Sequence, residues 1–528
     1  MNTIEFSELH QTRLFIDFVR SEHRITSFFQ ESAGTFPAPD RGAVANAIRE
    51  SMSGCDLTPA QIQALEGFEN GARRIVTGQQ VGLFGGALYS SYKASTAIQL
   101  ANTSAEKAVA IFWVEDNDHD AAESAIAYHP GKELGTLECT LSVDAISKVP
   151  VGELRCTEAD EARVSEFAAL IGDSPFQSDV ERILHRYKAG ASWSDAFIGV
   201  LNDMFGQSGM LFIRASIARM MGLFAPVVLH ELSNSGMLEQ TVLQTSAKLQ
   251  AAGYHVQAKP SNVNLFLHTD GIRHKVNNIP GDAHHFHVGS VLYSRDELMK
   301  KVRTSPSSFS PSVLLRPLVQ DQLLGTDVYV AGPGEIAYLA QLQEYYAVAG
   351  IKTPKIAIRH SVTVLPKKVQ RFLEKQSLDI RSLLKPYQEI EHELTTALKS
   401  HPVFDGIGEA QKGINTIFTT LRGLVKSVDA TLDATVIGAE KNSLKEIDTI
   451  AKKTTAAIKR KEEQLFSKLR DVYSIIYPDA ALQERRLTPI FLIGELGLDG
   501  AKTLLATIRS EPSDKHLLVP VLQETLHP

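Results

Sequence analysis

Two short apolar segments that run into glycine or charged residues are the parts of this sequence best suited to chemistry. The first, 74–77, continues into the glycine-rich stretch 77–86, and the second, 108–114, continues into five ionisable residues within 115–120. In open α/β sheets, ligands bind outside the carboxyl ends of the strands, near the point where the strand order reverses. The two segments therefore predict a small-molecule site at the end of a parallel sheet.

The glycine-rich stretch 77–86 predicts a turn that closely approaches a ligand. Glycine lets the backbone come near a bound group, and the helix predicted over 87–101 would offer N–H groups and a positive dipole end to an anion. No Gly-Lys-Ser/Thr follows, so the stretch is neither a Walker A loop nor a GxGxxG sequence. The alternatives are a purely structural turn and, for Lys93, a solvated side chain. The candidate binding residues are Gly78, Gln79, Gln80, Gly82, Phe84, Gly85, Tyr89 and Lys93.

The charged stretch 115–120 predicts an acid–base or charge-binding cluster. Clustered carboxylates can share a proton or hold Mg²⁺, and a histidine between aspartates can act as a base or contact a phosphate. Because side chains alternate at a strand end, they cannot all enter one pocket, and Asp118, His119 and Asp120 are the favoured members. The alternative is a polar loop that caps the next helix.

A third apolar segment, 328–331, also ends in glycine and enters a helix. Glu335 would lie in the first helical turn, where it could bind an ammonium or hydroxyl group or simply complement the helix dipole. Gly332 and Gly334 flank this position, and Arg316 could contact a carboxylate or phosphate. These residues add a third strand end to the predicted site.

The sequence favours neither metal nor thiol chemistry. The run 281–287 contains three histidines, but its spacing matches no standard zinc ligand set, so a solvated loop is expected and no metal site is predicted. The three cysteines, Cys55, Cys139 and Cys156, include no CxxC spacing and lie in no histidine-rich context. They fit a reducing cytoplasm, and none is expected to be a nucleophile.

Composition limits the class of protein. A chain of 528 residues is expected to form two to four domains. Its formal charge of −7 argues against nucleic acid as the main partner. The N-terminus lacks a basic start and an apolar core, so no signal peptide is predicted, and no run approaches the length of a membrane span. We expect a cytoplasmic protein that binds neither membranes nor nucleic acid.

Alternating strand and helix signals organise most of the chain around a parallel sheet. Strands are also predicted at 210–214, 254–258 and 264–268, and one helix is predicted over 225–252. The expected domains are N-terminal helices with the first half of the core (1–134), an insertion (135–205), the second half of the core with a smaller insertion (206–361), a helical arm (362–474) and a segment that returns to the core (475–528).

The arm is predicted from heptad spacing, which winds helices together by side-chain interdigitation. Gly438 lies between two heptad series, so an antiparallel hairpin that mediates dimerisation is expected, with a plain helix bundle packed on the core as the alternative. The two series are Ile407, Ala410, Ile414, Ile417, Leu421, Leu424 and Val428, then Leu444, Ile447, Ala451, Thr454, Ile458 and Leu465.

These segments together resemble the BshC family, the cysteine-adding ligases of bacillithiol biosynthesis. The resemblance extends from about residue 70 to 490, and the chain departs from the family pattern at Ala87, where the family has proline, and at Asn117. Because of Asn117, either Glu115 or Asp116 can correspond to the family's glutamate. The matching residues are those of 77–86, Leu88, Tyr89, Tyr92, Lys93, Phe112, Trp113, Asp118, His119, Asp120, 314–321, 332–338, Gln341, Leu342 and 482–485.

The resemblance implies a Rossmann-like core with connecting-peptide-type insertions, as in class I aminoacyl-tRNA synthetases, and a coiled-coil arm that forms a homodimer. It implies that cysteine is joined through an amide bond to the amine of glucosaminyl-malate. Asp118 or Glu335 would hold the cysteine ammonium, and His119 would stabilise phosphate charge or take the amine proton. Arg316 would meet the malate carboxylates, with Trp113 nearby.

The activating cofactor stays open. ATP with Mg²⁺ is suggested by fold analogy alone, with the stretch 78–86 near the nucleotide, because neither synthetase nucleotide signature is present. Two other functions also stay open, since such cores host many chemistries. One is a nucleotidyl- or glycosyl-transferase, and the other is a non-catalytic nucleotide-binding dimeric scaffold.

Overall fold

The computed structural model describes residues 2–38, 40–131, 135–143, 149–172, 174–269, 271–399 and 402–521. The chain divides into two compact units. The first contains residues 1–130, 136–367 and 481–528, and the second contains 131–135 and 368–480. Within the described residues, no helix is both long enough and apolar enough to cross a membrane.

Strands and helices alternate along most of the first unit, whereas the second unit is helical. The strands are β1 Asn2–Ile4, β2 Arg73–Gln80, β3 Ala108–Glu115, β4 Ile126–Pro130, β5 Thr136–Thr140, β6 Leu211–Arg214, β7 Leu265–Thr269, β8 Ile272–Ile279, β9 Asp282–Val288, β10 Val291–Ser294, β11 Phe309–Pro311, β12 Val328–Ala331, β13 Lys355–Ile358, β14 Ser361–Leu365 and β15 His516–Pro520. The helices are α1 Arg13–Val19, α2 His23–Thr26, α3 Arg41–Ser51, α4 Pro59–Glu69, α5 Leu88–Asn102, α6 Ala121–Ser124, α7 Glu158–Ile171, α8 Gln177–Leu184, α9 Trp193–Phe205, α10 Ala215–Met220, α11 Ala225–Ser233, α12 Met237–Ala251, α13 Arg295–Thr304, α14 Arg316–Leu324, α15 Pro333–Ala349, α16 Lys367–Gln376, α17 Tyr387–Lys399, α18 Val403–Lys426, α19 Asp433–Ile476, α20 Gln483–Arg486 and α21 Pro489–Ile508.

A five-stranded parallel sheet forms the centre of the first unit, with strand order β13-β12-β2-β3-β6. Its strands form because short apolar runs are buried on both faces, as in 109–114, which suits a parallel sheet covered by helices. The strands predicted at 74–77, 108–114, 210–214 and 328–331 are confirmed. All five carboxyl ends lie at one edge, so the residues that follow them meet there.

The stretch 78–80 is strand rather than turn, which corrects the predicted start of the glycine-rich turn. Gly78 pairs with Trp113 and Gln80 with Glu115, so β2 continues three residues beyond Thr77. A Cβ atom on Gly78 would lie 2.7 Å from the Trp113 carbonyl oxygen and 2.9 Å from the Trp113 Cβ. Glycine is therefore needed here for the close approach of β2 to β3, and the turn itself begins after Gln80.

Two further predictions between 225 and 258 are wrong. The single helix predicted over 225–252 is two helices, α11 and α12, because Gly236 adopts a left-handed conformation with φ of 88° between them. The segment 254–258 is not a strand. The N–H groups of Gln257 and Ala258 donate to Gln341 Oε1 at 3.1 and 2.9 Å, so a buried side chain replaces a neighbouring strand as acceptor.

The histidine run 281–287, predicted to be a solvated loop, is mostly strand β9. It pairs antiparallel with β8 and β10 in a second sheet of order β10-β9-β8-β7-β11, and His287 lies opposite Asn277. Alternation along this strand buries Phe286 and Val288. Among the described residues, no group of three or more His, Cys, Asp and Glu side chains is placed to hold a metal ion.

The second unit contains the helical hairpin predicted from the heptads. Arg422 of α18 contacts Asp433 of α19 at 3.0 Å, and Gln411 donates to Asp448 at 2.9 Å. The earlier residue of α18 thus contacts the later residue of α19, so the two helices run in opposite directions. The antiparallel pairing is therefore confirmed. The position of its turn was wrong, because Gly438 lies inside α19 and the chain reverses at 427–432.

Gly78→Ala is expected to lower the free energy of unfolding by about 1–3 kcal/mol, because the new methyl group cannot fit between β2 and β3. Gly334→Ala is the matched control, since a Cβ there meets no atom within 4 Å. Urea denaturation of both variants would measure the difference. Equal stability of the two would show that the close approach at Gly78 is not a packing constraint.

Candidate functional site

A cavity of about 400 Å³ lies at the carboxyl edge of the parallel sheet. Its walls come from the ends of β2, β3 and β12, the first turns of α14 and α15, the residue after β13, and helices α5 and α20. Of the residues predicted from the first strand end, it is lined by Gly78, Gln79, Gln80, Tyr89 and Lys93. Of those predicted later in the chain, it is lined by Trp113, Asp118, Arg316, Gly332, Gly334 and Glu335.

Lys93 and Glu335 form an ion pair in this cavity. The Nζ atom of Lys93 lies 2.5 Å from Glu335 Oε2 and also donates to Gly78 O at 2.8 Å and Gln79 Oε1 at 3.2 Å. Burial lowers the pKa of Lys93, and the negative charge of Glu335 opposes that shift. All three ammonium protons therefore have acceptors within the protein, and Lys93 is not the solvated side chain that was the alternative.

Glu335 is fixed by the turn that precedes α15. Its Oε2 accepts the Gly332 N–H at 2.9 Å and its Oε1 accepts the Tyr329 hydroxyl at 2.8 Å. Each carboxylate oxygen has two lone-pair sites, and Oε1 has only this one donor among the described residues. Glu335 is therefore a held carboxylate with one acceptor site left for a ligand, and Gly334 beside it leaves the space open.

Asp118 lies at the other end of the cavity, between arginines. Its Oδ2 accepts from Arg316 at 3.0 Å and from Gln80 at 3.1 Å, and Arg273 lies 3.5 Å from its Oδ1. Burial acts to raise the pKa of Asp118, but the positive charges of Arg316 and Arg273 outweigh it and hold the pKa at about 2. Asp118 is therefore a permanent anion that orients Arg316.

Glu115, not Asp116, faces the cavity. Glu115 accepts from the Trp113 indole at 3.0 Å and pairs with Arg316 at 3.1 Å, and burial raises its pKa against the charge of Arg316. Asp116 instead accepts from Arg214 at 2.8 Å and from the Ser216 N–H at 2.7 Å, away from the lining. The geometry thus identifies Glu115 as the cavity-lining carboxylate of the two.

Five of the predicted residues lie outside the cavity lining. Asp120 is exposed, and Phe84 is fully buried with φ of 54° and donates its N–H to the Tyr187 hydroxyl. Gly82 and Gly85 are needed for chain packing, since a Cβ on Gly85 would lie 2.9 Å from Val200. His119 accepts at Nδ1 from Arg273 at 2.8 Å, which places its proton on Nε2.

The stretch 78–86 does not fit the nucleotide phosphate cradle suggested by analogy. Backbone N–H groups would have to point freely at the phosphates, as they do at helix N-termini that bind anions. Here the N–H groups of Val81, Phe84 and Gly86 donate within the protein, to Glu115 O, the Tyr187 hydroxyl and Leu83 O, and no residue of 81–86 lines the cavity. The contribution of this stretch to the cavity comes from Gly78, Gln79 and Gln80.

Two arginines of the cavity were not predicted as site residues. Arg359 follows β13 and is buried, and it forms a two-pronged ion pair with Glu484 of α20 at 2.8 and 3.0 Å. Arg485, the next residue of α20, is exposed and lines the cavity. The short apolar run 356–358 could have predicted β13 and hence Arg359, whereas α20 has no strand-end signal.

Comparison with known proteins adds a family to this geometry. The family model described as "Bacillithiol biosynthesis BshC, N-terminal Rossmann-like domain" matches residues 1–360, and "Bacillithiol biosynthesis BshC, C-terminal coiled-coil domain" matches 362–520. The chain belongs to the BshC family. The Rossmann-like and coiled-coil fold class implied by the resemblance is therefore confirmed.

Relatives in this family align with nearly the whole chain. A protein of Salinibacter ruber is 29% identical over 91% of this chain and 91% of its own length. Proteins of Chlorobaculum tepidum and Koribacter versatilis are 28% and 26% identical, over 96% and 97% of this chain and 94% and 98% of their own lengths. All three carry the name "Putative cysteine ligase BshC".

Glu484→Gln is expected to lower the free energy of unfolding by about 3–5 kcal/mol, because it leaves the buried Arg359 without a charge partner. Burial acts to raise the pKa of Glu484, but Arg359 outweighs it and lowers the pKa below its ordinary value. The stabilisation is therefore present above the pKa of the unfolded chain and is lost as the pH falls towards the folded value.

Urea denaturation at pH 7 and at stepwise lower pH would measure both effects. Glu66→Gln, an exposed glutamate of α4, is the control and should retain wild-type stability. Wild-type stability in Glu484→Gln would contradict the structural role of the Arg359–Glu484 pair.

Proposed function

We propose that this protein is a ligase that joins the carboxyl group of L-cysteine to the amine of glucosaminyl-malate through an amide bond. The observation that carries the proposal is the cavity at the strand ends, in which Glu335 keeps an open acceptor site beside fixed cations. Membership of the BshC family and the ligase name of the relatives support the same reaction. The three free cysteines also support a cytoplasmic location.

Glu335 is the residue proposed to hold the cysteine ammonium. Its Oε1 has an open acceptor site among the described residues, while Lys93 fixes the carboxylate through a contact of 2.5 Å to Oε2. Asp118 is proposed to act through Arg316, since both Asp118 oxygens already face donors. Charge-assisted hydrogen bonds of this kind fix a zwitterionic substrate more firmly than neutral ones.

Amide formation from a free carboxylate and an amine needs an activated acyl group. ATP with Mg²⁺ is one candidate activator, but the stretch 78–86 does not offer it a phosphate cradle, so no residue of that stretch is assigned to it. The assay of the proposed function therefore contains cysteine and glucosaminyl-malate, with and without ATP and Mg²⁺, and detects the amide product by mass spectrometry.

Glu335→Gln and Asp118→Asn are expected to reduce amide formation by about 100-fold or more, because each removes a charge that holds substrate or orients Arg316. Asp499→Asn, at an exposed position of α21, should retain wild-type activity. Thermal melts would confirm that the variants are folded. Full activity in both site variants would refute the assignment, and absence of product from the wild type under all conditions would refute the ligase.

We also propose that the helical arm forms a homodimer. No residue of α18 is buried, and an apolar stripe with heptad intervals is exposed on it. On α18, Ile417, Leu421 and Leu424 are 59%, 40% and 63% exposed, and Val428, just after the helix, is 83% exposed. Such spacing is typical of helices that bury a shared seam, and a second copy of the arm would supply the covering surface.

The double substitution Leu421→Lys with Leu424→Lys is expected to convert the dimer into a monomer, because two charges would have to be buried in an apolar seam. Asn415→Lys, on the opposite face of α18, adds a charge without affecting the stripe. Sedimentation velocity would measure the mass of each. A wild-type monomer, or a dimer that persists in the double variant, would contradict the proposal.

A further inference from the structure

The cations of the cavity are paired with carboxylates, with one exception. Among the described residues, three of them have a carboxylate at short distance: Lys93 has Glu335 at 2.5 Å, Arg359 has Glu484 at 2.8 Å, and Arg316 has Glu115 and Asp118 at 3.1 and 3.0 Å. Arg485 lines the same cavity, and its guanidinium has no ion-pair or hydrogen-bond partner among the described residues. The cavity therefore contains one guanidinium, that of Arg485, without a carboxylate partner in the part of the chain that the structure describes.

The backbone of Arg485 is held in place although its side chain is unpaired. Gln483 bonds both backbone groups of Val364, at 2.8 and 3.0 Å, and Glu484 holds Arg359 and accepts the Val362 N–H. The Arg485 N–H donates to Leu482 O at 2.8 Å. Gln483 and Glu484 thus anchor α20. The backbone of Arg485 is therefore held by buried contacts, unlike that of an arginine on an ordinary surface helix.

Arg485 and Arg359 act on the same part of the cavity. Arg359 lies 5.5 Å from the centre of the Tyr89 ring, and Tyr89 also lines the cavity. Burial raises the pKa of Tyr89, and the positive charges of Arg485 and Arg359 both oppose that shift. A group bound beside Tyr89 would therefore lie in the same cavity as two guanidinium groups, only one of which has a carboxylate partner among the described residues.

We propose that Arg485, with Arg359 beside it, forms a subsite for an anionic group of a substrate, either a carboxylate or a phosphate. The planar fork of a guanidinium matches both groups by paired hydrogen bonds. This subsite rests on the proposed function, because the anionic group belongs to a substrate of that reaction. A carboxylate of the amine substrate and a phosphate of an activating nucleotide supply the same chemistry.

The test measures the binding of glucosaminyl-malate and, separately, of ATP by isothermal titration calorimetry. Arg485→Gln is expected to weaken one of the two by about 10-fold or more, the size of effect typical of a lost charge-assisted hydrogen bond. Arg303→Gln, which removes an exposed arginine of α13 outside the cavity, should leave both affinities unchanged. Weaker binding of glucosaminyl-malate alone identifies a carboxylate, and weaker binding of ATP alone identifies a phosphate.

Unchanged affinity for both probes, or binding of neither by the wild type, overturns the subsite. Arg485→Lys keeps the charge but loses the fork, so it should recover part of the affinity, and it carries the test if the glutamine variant melts early. Failure of the ligase proposal is distinguishable. If the wild type binds a probe through Arg485 but forms no amide, the ligase proposal fails and the subsite stands. If Arg485→Gln forms the amide with an unchanged KM, the subsite fails and the ligase proposal stands.

Discussion

The structure around the cavity depends on the pairing of buried charges. Lys93 and Arg359 are 2% and 3% exposed, and moving such a cation out of water costs several kcal/mol unless an opposite charge meets it. Glu335 and Glu484 meet that requirement, from α15 and α20. Because the two glutamates come from distant parts of the chain, the ion pairs link α5 to α15 and the end of β13 to α20.

This pairing also limits what the cavity can bind. Asp118 and Arg316 neutralise each other, and Lys93 donates all its protons within the protein. Among the described residues, the charged groups that keep an unpaired position are the open oxygen of Glu335 and the guanidinium of Arg485, one negative and one positive, beside the Arg316 that Asp118 orients. A site with these two groups is suited to substrates that carry both an ammonium and an acidic group, as the substrates of the proposed ligation do.

Sequence patterns predicted the strands of the core well because burial on both faces leaves short apolar runs such as 108–114. They failed where one residue overrode the pattern. Gly236 divides an otherwise continuous helical segment, and Gln341 replaces a strand partner for 257–258. The histidines of 281–287 concealed the alternation of a strand, since their polar character suggested a loop.

The sequence alone determined the parallel core, the strand-end position of Asp118 and Glu335, and the heptad arm, because local periodicity encodes which faces are buried. It also carried the family resemblance. Only the tertiary structure decided that Glu115 rather than Asp116 faces the cavity, and that Arg359 and Arg485 belong to it. Those outcomes depend on contacts between segments more than a hundred residues apart, such as Arg359 with Glu484, which no local spacing can encode.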